Sequence, residues 1–509
     1  MHTPRALWAL ALLAGCYPHA GRCEARLPGI LSSHMVLQRE MPIHIWGWAD
    51  PGEKVGVALH GVSREAVADS LGGWSVFLPP ESAGGPYQIT VSSSNQIVLD
   101  DVLLGDVWFA SGQSNMEMPL KGFPGAPLKD SAAEIARADQ AQIRLLYIPH
   151  KAADFPLRNS GTSWTVCSPQ TAAGFSAVAY FFGRELNARE HVPIGLIDSS
   201  WGGTVAEAWV SLETISGDAA LMPVFATRAE MMETQGEMTA ILAKEKREDV
   251  AARQAGQPPP KHSWRPDPAS WAPAALFNGM VAPATDYGIK GVIWYQGESN
   301  SRLAFAPMYG KIFPALIADW RARWHEGNFP FLFVQIANFT SDAAAEDWAT
   351  IREAQLRSLS VANTAMAVTI DIGDPDNVHP ADKQTLGARL ALAARALAYG
   401  ENVEYSGPLF RQVTAEGETA RVWFDHAAGG LAAKGGELQG FEIAGEDGHF
   451  VNATARIEGK TVVVGAAGVK APKYVRYGWA NAPVVNLYNG EGLPASPFTS
   501  EGRKSTVSY

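Results

Sequence analysis

Three cysteines in 509 residues are too few for a disulfide framework. Cys16 and Cys23 lie near the start, and Cys167, in the body of the chain, reads as a small buried hydrophobe rather than a reactive thiol. Long apolar runs are also missing. The run Ala6 to Ala14 is too short to span a bilayer, and no other stretch approaches that length. Charge of one sign is nowhere concentrated: the net charge of -11 is spread thinly, which excludes a nucleic-acid partner and suits neutral or mildly charged substrates. The 12 histidines show no metal-ligand spacing such as His-Glu-x-x-His, so a metal site is not expected. No repeat of fixed period is present.

What the chain does contain begins with a leader. Met1 to Arg5 carry one cation and lead into the apolar run, the pattern of a signal peptide. Leu13-Ala14-Gly15-Cys16 resembles a bacterial lipoprotein box, and cleavage after Ala20 or Ala25 would instead release a protein without an anchor. The expectation is an exported protein, periplasmic, anchored to the outer membrane or secreted, with membrane contact only through a lipid on Cys16. Oligomeric state is left open.

With 47% apolar residues, a chain of this length exceeds what one core supports, and two or three domains are expected. Residues 27–100 carry short alternating stretches such as Ile43 to Trp48 and Val55 to Leu59, broken by Pro51-Gly52 and Gly72-Gly73, which predicts a β-sandwich. From 101 to 401 apolar strands alternate with amphipathic helices, the pattern of a doubly wound α/β domain. Predicted strands are Val107–Ala110, Ile194–Asp198, Val292–Tyr295, Leu332–Ile336 and Met366–Asp371, with helices near 173–189, 307–324, 347–360 and 383–398. A charged, then Pro-rich insertion is expected at about 239–270, and residues 402–509 return to β-type segments.

In an open parallel sheet, ligands bind at the carboxyl ends of the strands. Four of the predicted strands are followed there by unusual blocks: Ser111 to Met116, Ser199 to Thr204, Gln296 to Asn300, and Asp374 to Pro380. A serine hydroxyl becomes nucleophilic when an imidazole takes its proton, and a carboxylate can hold that imidazole in the right tautomer. Ser114, His379 and Asp376 supply the three groups. The backbone N–H of Ser114, those of Gly202 or Gly203, and the side-chain amide of Gln296 are candidate donors to an oxyanion. Each motif alone is weak, and Ser114 by itself reads as an ordinary helix cap. Their placement on four of the five strand ends is what carries the catalytic reading.

These blocks resemble those of the SGNH-type hydrolases, specifically the sialate O-acetylesterase-like branch. Gly112 to Glu117 resembles the nucleophile block, Trp201 to Thr204 the glycine block, Trp294 to Asn300 the third block, with Gln296 where many relatives have Asn, and Asp376 to Pro380 the final Asp-x-x-His block. Leu31 to Gln38 and Arg476 to Pro483 extend the resemblance over nearly the whole chain. It implies a flavodoxin-like α/β hydrolase domain with parallel sheet and β-rich accessory regions. It also implies hydrolysis through a covalent acetyl-enzyme with no metal or organic cofactor. The substrate it implies is an acetylated carbohydrate, either O-acetylated sialic acid or a hemicellulose such as xylan or xyloglucan.

Around this core, Asn115, Trp201, Glu207, Trp209, Asn278 and Glu298 are candidate substrate contacts, Glu298 being expected chiefly to brace Gln296. Trp201 and Trp294 are candidates for sugar stacking, whereas Trp46 and Trp48 read as sandwich core. The competing reading is a non-catalytic carbohydrate-binding surface protein; a lipase or thioesterase lacks support because no long apolar lid is evident.

Overall fold

The computed structural model describes residues 24–502 apart from 261, 263, 264 and 266, so the expected leader with Cys16 and Cys23 lies outside the described residues. Five parallel strands form the centre of the molecule: β1 (Gln96–Gly112), β2 (Ile194–Ser200), β3 (Gly291–Tyr295), β4 (Phe331–Gln335) and β5 (Thr364–Val368). Their spatial order is β2-β1-β3-β4-β5. That is the flavodoxin-like order, and its switch point falls between β1 and β3.

From Val102 onward β1 is buried throughout, and the other four strands are almost wholly buried, as expected for a parallel sheet covered on both faces. Neighbouring residues of β1 point to opposite faces. Trp108 meets Phe182 of the helix Ala177–Glu190, with ring centroids 4.9 Å apart, while Phe109 meets Trp320 and Trp324 of the helix Ala306–Trp324 at 5.5 and 5.2 Å. The helix Lys383–Leu397 lies beside the first of these helices and Trp348–Arg357 beside the second.

The expected domain boundary near residue 100 falls inside β1. Its first half pairs antiparallel with Gly84–Ser92, and its second half is the middle of the parallel sheet. Ile97 and Leu99 lead through Asp100 and Asp101 into the buried run that starts at Val102. The N-terminal region also holds the strands Lys54–Leu59 and Val62–Val67 and a separate pair, Ile43–Trp48 with Gly73–Leu78. Trp46 is buried there, as expected, and Trp48 lies under the Arg158 guanidinium.

An additional parallel strand, Gln140–Tyr147, flanks β2. Arg144 interrupts its apolar pattern, and it is buried because both ends of its guanidinium bind Asp101, at 2.5 and 3.1 Å. The charged part of the expected insertion at about 239–270 is helical, the end of one long helix, Pro223–Gln254, that starts well before it. Residues beyond 402 build antiparallel sheets, two of four strands and one of two. Among the described residues no helix is long and apolar enough to cross a membrane.

Candidate active site

Strand β1 ends at Gly112, whose φ of +138° lies where side chains are strained; a Cβ there would also sit 2.1 Å from the Tyr295 carbonyl oxygen. The chain then turns into the short helix Ser114–Glu117. Ser176 holds that turn from outside, its hydroxyl donating to the Met116 carbonyl at 2.6 Å. The Ser114 N–H has no partner among the described residues.

Ser114 Oγ lies 2.8 Å from His379 Nε2, a contact between residues 265 positions apart. Phe123 sets its ring edge-on to the imidazole, centroids 5.3 Å apart. Burial, with the Lys383 cation adding to it, pushes the His379 pKa down to about 4, and the Glu117 carboxylate opposes the shift. The imidazole is therefore neutral near pH 7 and able to take the serine proton.

Asp376 does not join them, which corrects the expected triad. It is exposed, and among the described residues it forms neither a hydrogen bond nor an ion pair with His379. The loop explains this. Asp374 Oδ1 accepts the Asp376 N–H at 2.9 Å and Asn377 Oδ1 accepts the His379 N–H at 3.0 Å, two side-chain-closed turns that face Asp376 outward.

Gln296, expected as an oxyanion donor, does not present its amide to the cavity. Its amide nitrogen is fully buried and shared among Asn300 Oδ1 at 2.6 Å, the Thr204 carbonyl at 3.1 Å and Gln113 Oε1 at 3.2 Å. Gln113 takes its place beside the nucleophile. Its Oε1 also accepts the Ser299 N–H at 3.1 Å, which leaves its NH₂ group without a protein partner among the described residues and Gln113 lining the cavity. Gly203 N–H is unpartnered among the described residues too, whereas Gly202 N–H is taken by Glu117 Oε2 at 2.5 Å.

The cavity over Ser114 has a volume of about 650 Å³. Trp201 stacks parallel on His150, centroids 4.5 Å apart, on one wall; Phe339 and Trp348, 5.5 Å apart, form another. Arg302 and Glu346 stand between them without an ion pair among the described residues. The C-terminal region supports the second wall: Asn481 Oδ1 accepts the Trp348 N–H at 3.0 Å, and the buried Arg352 donates to the carbonyls of Ile336, Ala337, Ala480 and Asn481.

Of the expected substrate contacts, Trp201 and Glu298 line this cavity; Asn115, Glu207, Trp209 and Asn278 do not. Asn115 is buried between Glu298 Oε1, the Val378 carbonyl and the Lys383 ammonium, so it ties the nucleophile turn to the histidine loop. Glu298 therefore braces Asn115 rather than Gln296. Burial raises the Glu298 pKa and lowers that of Lys383 to about 7. Glu207 accepts from Asn300 Nδ2 at 2.9 Å, Trp209 donates to Thr204 Oγ1 at 3.0 Å, and Asn278 donates to the Ala153 carbonyl at 3.1 Å. Trp294 is fully buried against Trp209 and Trp320 and cannot stack on sugar.

Gln113 and Glu117 stood inside the nucleophile block but were not assigned roles. Phe123, His150, Phe339 and Glu346 come from loops, Trp348 from the start of the helix Trp348–Arg357 and Arg302 from just past the third block, and no spacing marks any of them. Among the described residues no three His, Cys, Asp or Glu side chains are grouped to hold a metal ion.

A flavodoxin-ordered sheet with a serine–histidine contact at its switch point defines an α/β hydrolase of the SGNH type. Residues 262–396 match the family model of sialic acid-specific acetylesterases among the carbohydrate esterases. The chain is 33% identical to the human sialate O-acetylesterase over 75% of this chain and 73% of that one. It is 31% identical to the Rattus norvegicus sialate O-acetylesterase over 98% of both. The structure of a carbohydrate acetylesterase from Xanthomonas citri superposes with a TM-score of 0.81 at 37% identity, covering 94% of this chain and 100% of that one. The chain belongs to the sialate O-acetylesterase family and is a carboxylic ester hydrolase acting on acetylated carbohydrate.

Proposed function

We propose that this protein removes O-acetyl groups from a carbohydrate through an acetyl-enzyme formed on Ser114. The observation that carries this reading is the 2.8 Å contact between Ser114 Oγ and His379 Nε2 at the floor of an aromatic-walled cavity. His379 takes the hydroxyl proton as Ser114 attacks the acetyl carbonyl, then returns it to the departing sugar oxygen. Water, activated by the same imidazole, releases acetate. The N–H groups of Ser114 and Gly203 and the Gln113 amide, unpartnered among the described residues, are the donors open to the oxyanion, and Gly202 N–H, held by Glu117, can join them only when that carboxylate releases it. Asp376 has no part in the proton transfer, and the imidazolium forms without a directly bonded carboxylate.

The cavity walls suit an acetylated pyranose: Trp201 offers an indole face, and Glu346 offers a carboxylate acceptor to hydroxyl groups. Two sugar classes remain in view. O-acetylated sialic acid, the substrate named for the mammalian relatives, carries a carboxylate that the Arg302 guanidinium, stacked on Trp271 and without an ion pair among the described residues, would meet. Acetylated xylan or xyloglucan is neutral and would leave Arg302 unengaged. Acetate release from 9-O-acetylated sialic acid, acetylated xylan and acetylated xyloglucan by the parent protein and by Ser114→Ala tests both parts. Release that depends on Ser114 supports the mechanism, and the responding substrate assigns the sugar. Release undiminished in Ser114→Ala overturns the mechanism.

A further inference from the structure

Glu117 stands in the last position of the nucleophile helix, and nothing in the proton transfer above uses it. Its two carboxylate oxygens have different partners. Oε2 accepts the Gly202 N–H at 2.5 Å, and Oε1 lies 3.2 Å from His150 Nε2. Gly202 is packed hard against the nucleophile: a Cβ built on it would lie 2.8 Å from Glu117 Oε2 and 3.2 Å from Ser114 Cβ. The N–H that Glu117 holds thus belongs to a residue packed against Ser114 in the lining of the cavity. A resident carboxylate therefore occupies one of the backbone donors of the glycine block.

This carboxylate and an oxyanion cannot occupy that donor together. A tetrahedral oxyanion on Gly202 N–H would meet the Glu117 carboxylate at van der Waals distance, and like charges in a partly dry cavity repel strongly. His150 provides the alternative partner. Its Nε2 lies 3.2 Å from Oε1 and 3.1 Å from the Ser200 carbonyl, so one ring N–H is shared between the two acceptors, and the ring is fixed by the parallel stack on Trp201. A small rotation of the Glu117 side chain transfers the carboxylate wholly to His150 and frees Gly202.

We propose that Glu117 is the resident anion of the acyl-oxygen position. In the free enzyme its carboxylate occupies Gly202 N–H and excludes small carboxylates, including the acetate product; when an acetyl ester binds, Glu117 moves onto His150 and the ester oxygen takes the donor. The charge-assisted hydrogen bond also keeps the Gly202 peptide aimed at Ser114 between turnovers. The inference rests on the Ser114 reading and goes beyond it by giving the free site an internal competitor for its own product.

Acetate itself is the probe. Rates of 4-nitrophenyl acetate hydrolysis are measured against sodium acetate at constant ionic strength for the parent, Glu117→Ala and Glu117→Gln. Glu117→Ala is expected to be inhibited by acetate at a concentration about tenfold or more below that needed for the parent, with Glu117→Gln between them because its amide oxygen still accepts from Gly202 without charge. A brace that merely holds the loop would lower activity without creating acetate sensitivity, so equal sensitivity in parent and Glu117→Ala overturns the proposal. If Glu117→Ala turns over too slowly to follow, broadening of the acetate methyl resonance by Ser114→Ala and by Ser114→Ala/Glu117→Ala reads the same site without catalysis. Binding to the double variant alone supports the proposal, and equal binding to both overturns it. Undiminished hydrolysis by Ser114→Ala would instead retire the nucleophile assignment, a failure distinguishable from that of Glu117.

Discussion

Replacing Asp376 by Asn removes a carboxylate while keeping the shape of its loop. In a serine hydrolase whose acid orients the histidine, such a change costs about 10⁴ in kcat. The geometry here calls for far less. Asp376 is exposed, no bond or ion pair joins it to His379, and the Asp374 and Asn377 side chains that fix the loop remain in place. Two unit charges 4 Å apart in water interact by about 1 kcal/mol, and this pair is farther apart and screened by solvent. The expected loss in kcat/KM is therefore less than about fivefold, the factor that 1 kcal/mol represents. Initial rates of acetate release by parent, Asp376→Asn and His379→Ala, with circular dichroism to verify folding, make the comparison. A folded Asp376→Asn variant as inactive as His379→Ala would refute the dyad and restore the triad expected from the sequence.

Two further outcomes follow from the same geometry. His379 must be neutral to act as base, and its pKa is depressed to about 4, so kcat/KM should stay level from neutral pH to about 5 and fall only as pH drops through about 4; a limb near 6.5, the unperturbed value, contradicts this. Arg352→Met leaves four carbonyl oxygens behind the Phe339–Trp348 wall without their donor and should destabilise the protein by about 3–5 kcal/mol, read as a fall of several degrees in Tm; a Tm within about 1 °C of the parent contradicts it.

Much of the fold was legible because parallel strands advertise themselves as continuous apolar runs. Ile194–Ser200, Gly291–Tyr295 and the last part of Gln96–Gly112 are of this kind. Gln140–Tyr147 was hidden by Arg144, whose partner Asp101 is 43 positions away and invisible to local periodicity. The strand-end rule located Ser114 and His379 because their blocks must lie where the sheet ends. It could not say which way a side chain turns within a block. Asp376 is swung outward by hydrogen bonds that Asp374 and Asn377 make to the backbone, and Gln296 is drawn inward by Asn300 and Thr204. Gln113 then presents its amide to the cavity as a consequence of those internal bonds. The aromatic walls were illegible for a different reason: His150, Phe339 and Trp348 are brought over Ser114 by long loops and by Asn481 of the C-terminal region, contacts that exist only in the folded chain.

The most direct test of the account is acetate release from an acetylated carbohydrate by the parent protein beside a folded Ser114→Ala variant. The account predicts steady release by the parent and a loss of at least about 10³-fold in the variant, the remainder coming from binding and oxyanion donors alone. Equal release by both proteins would contradict it.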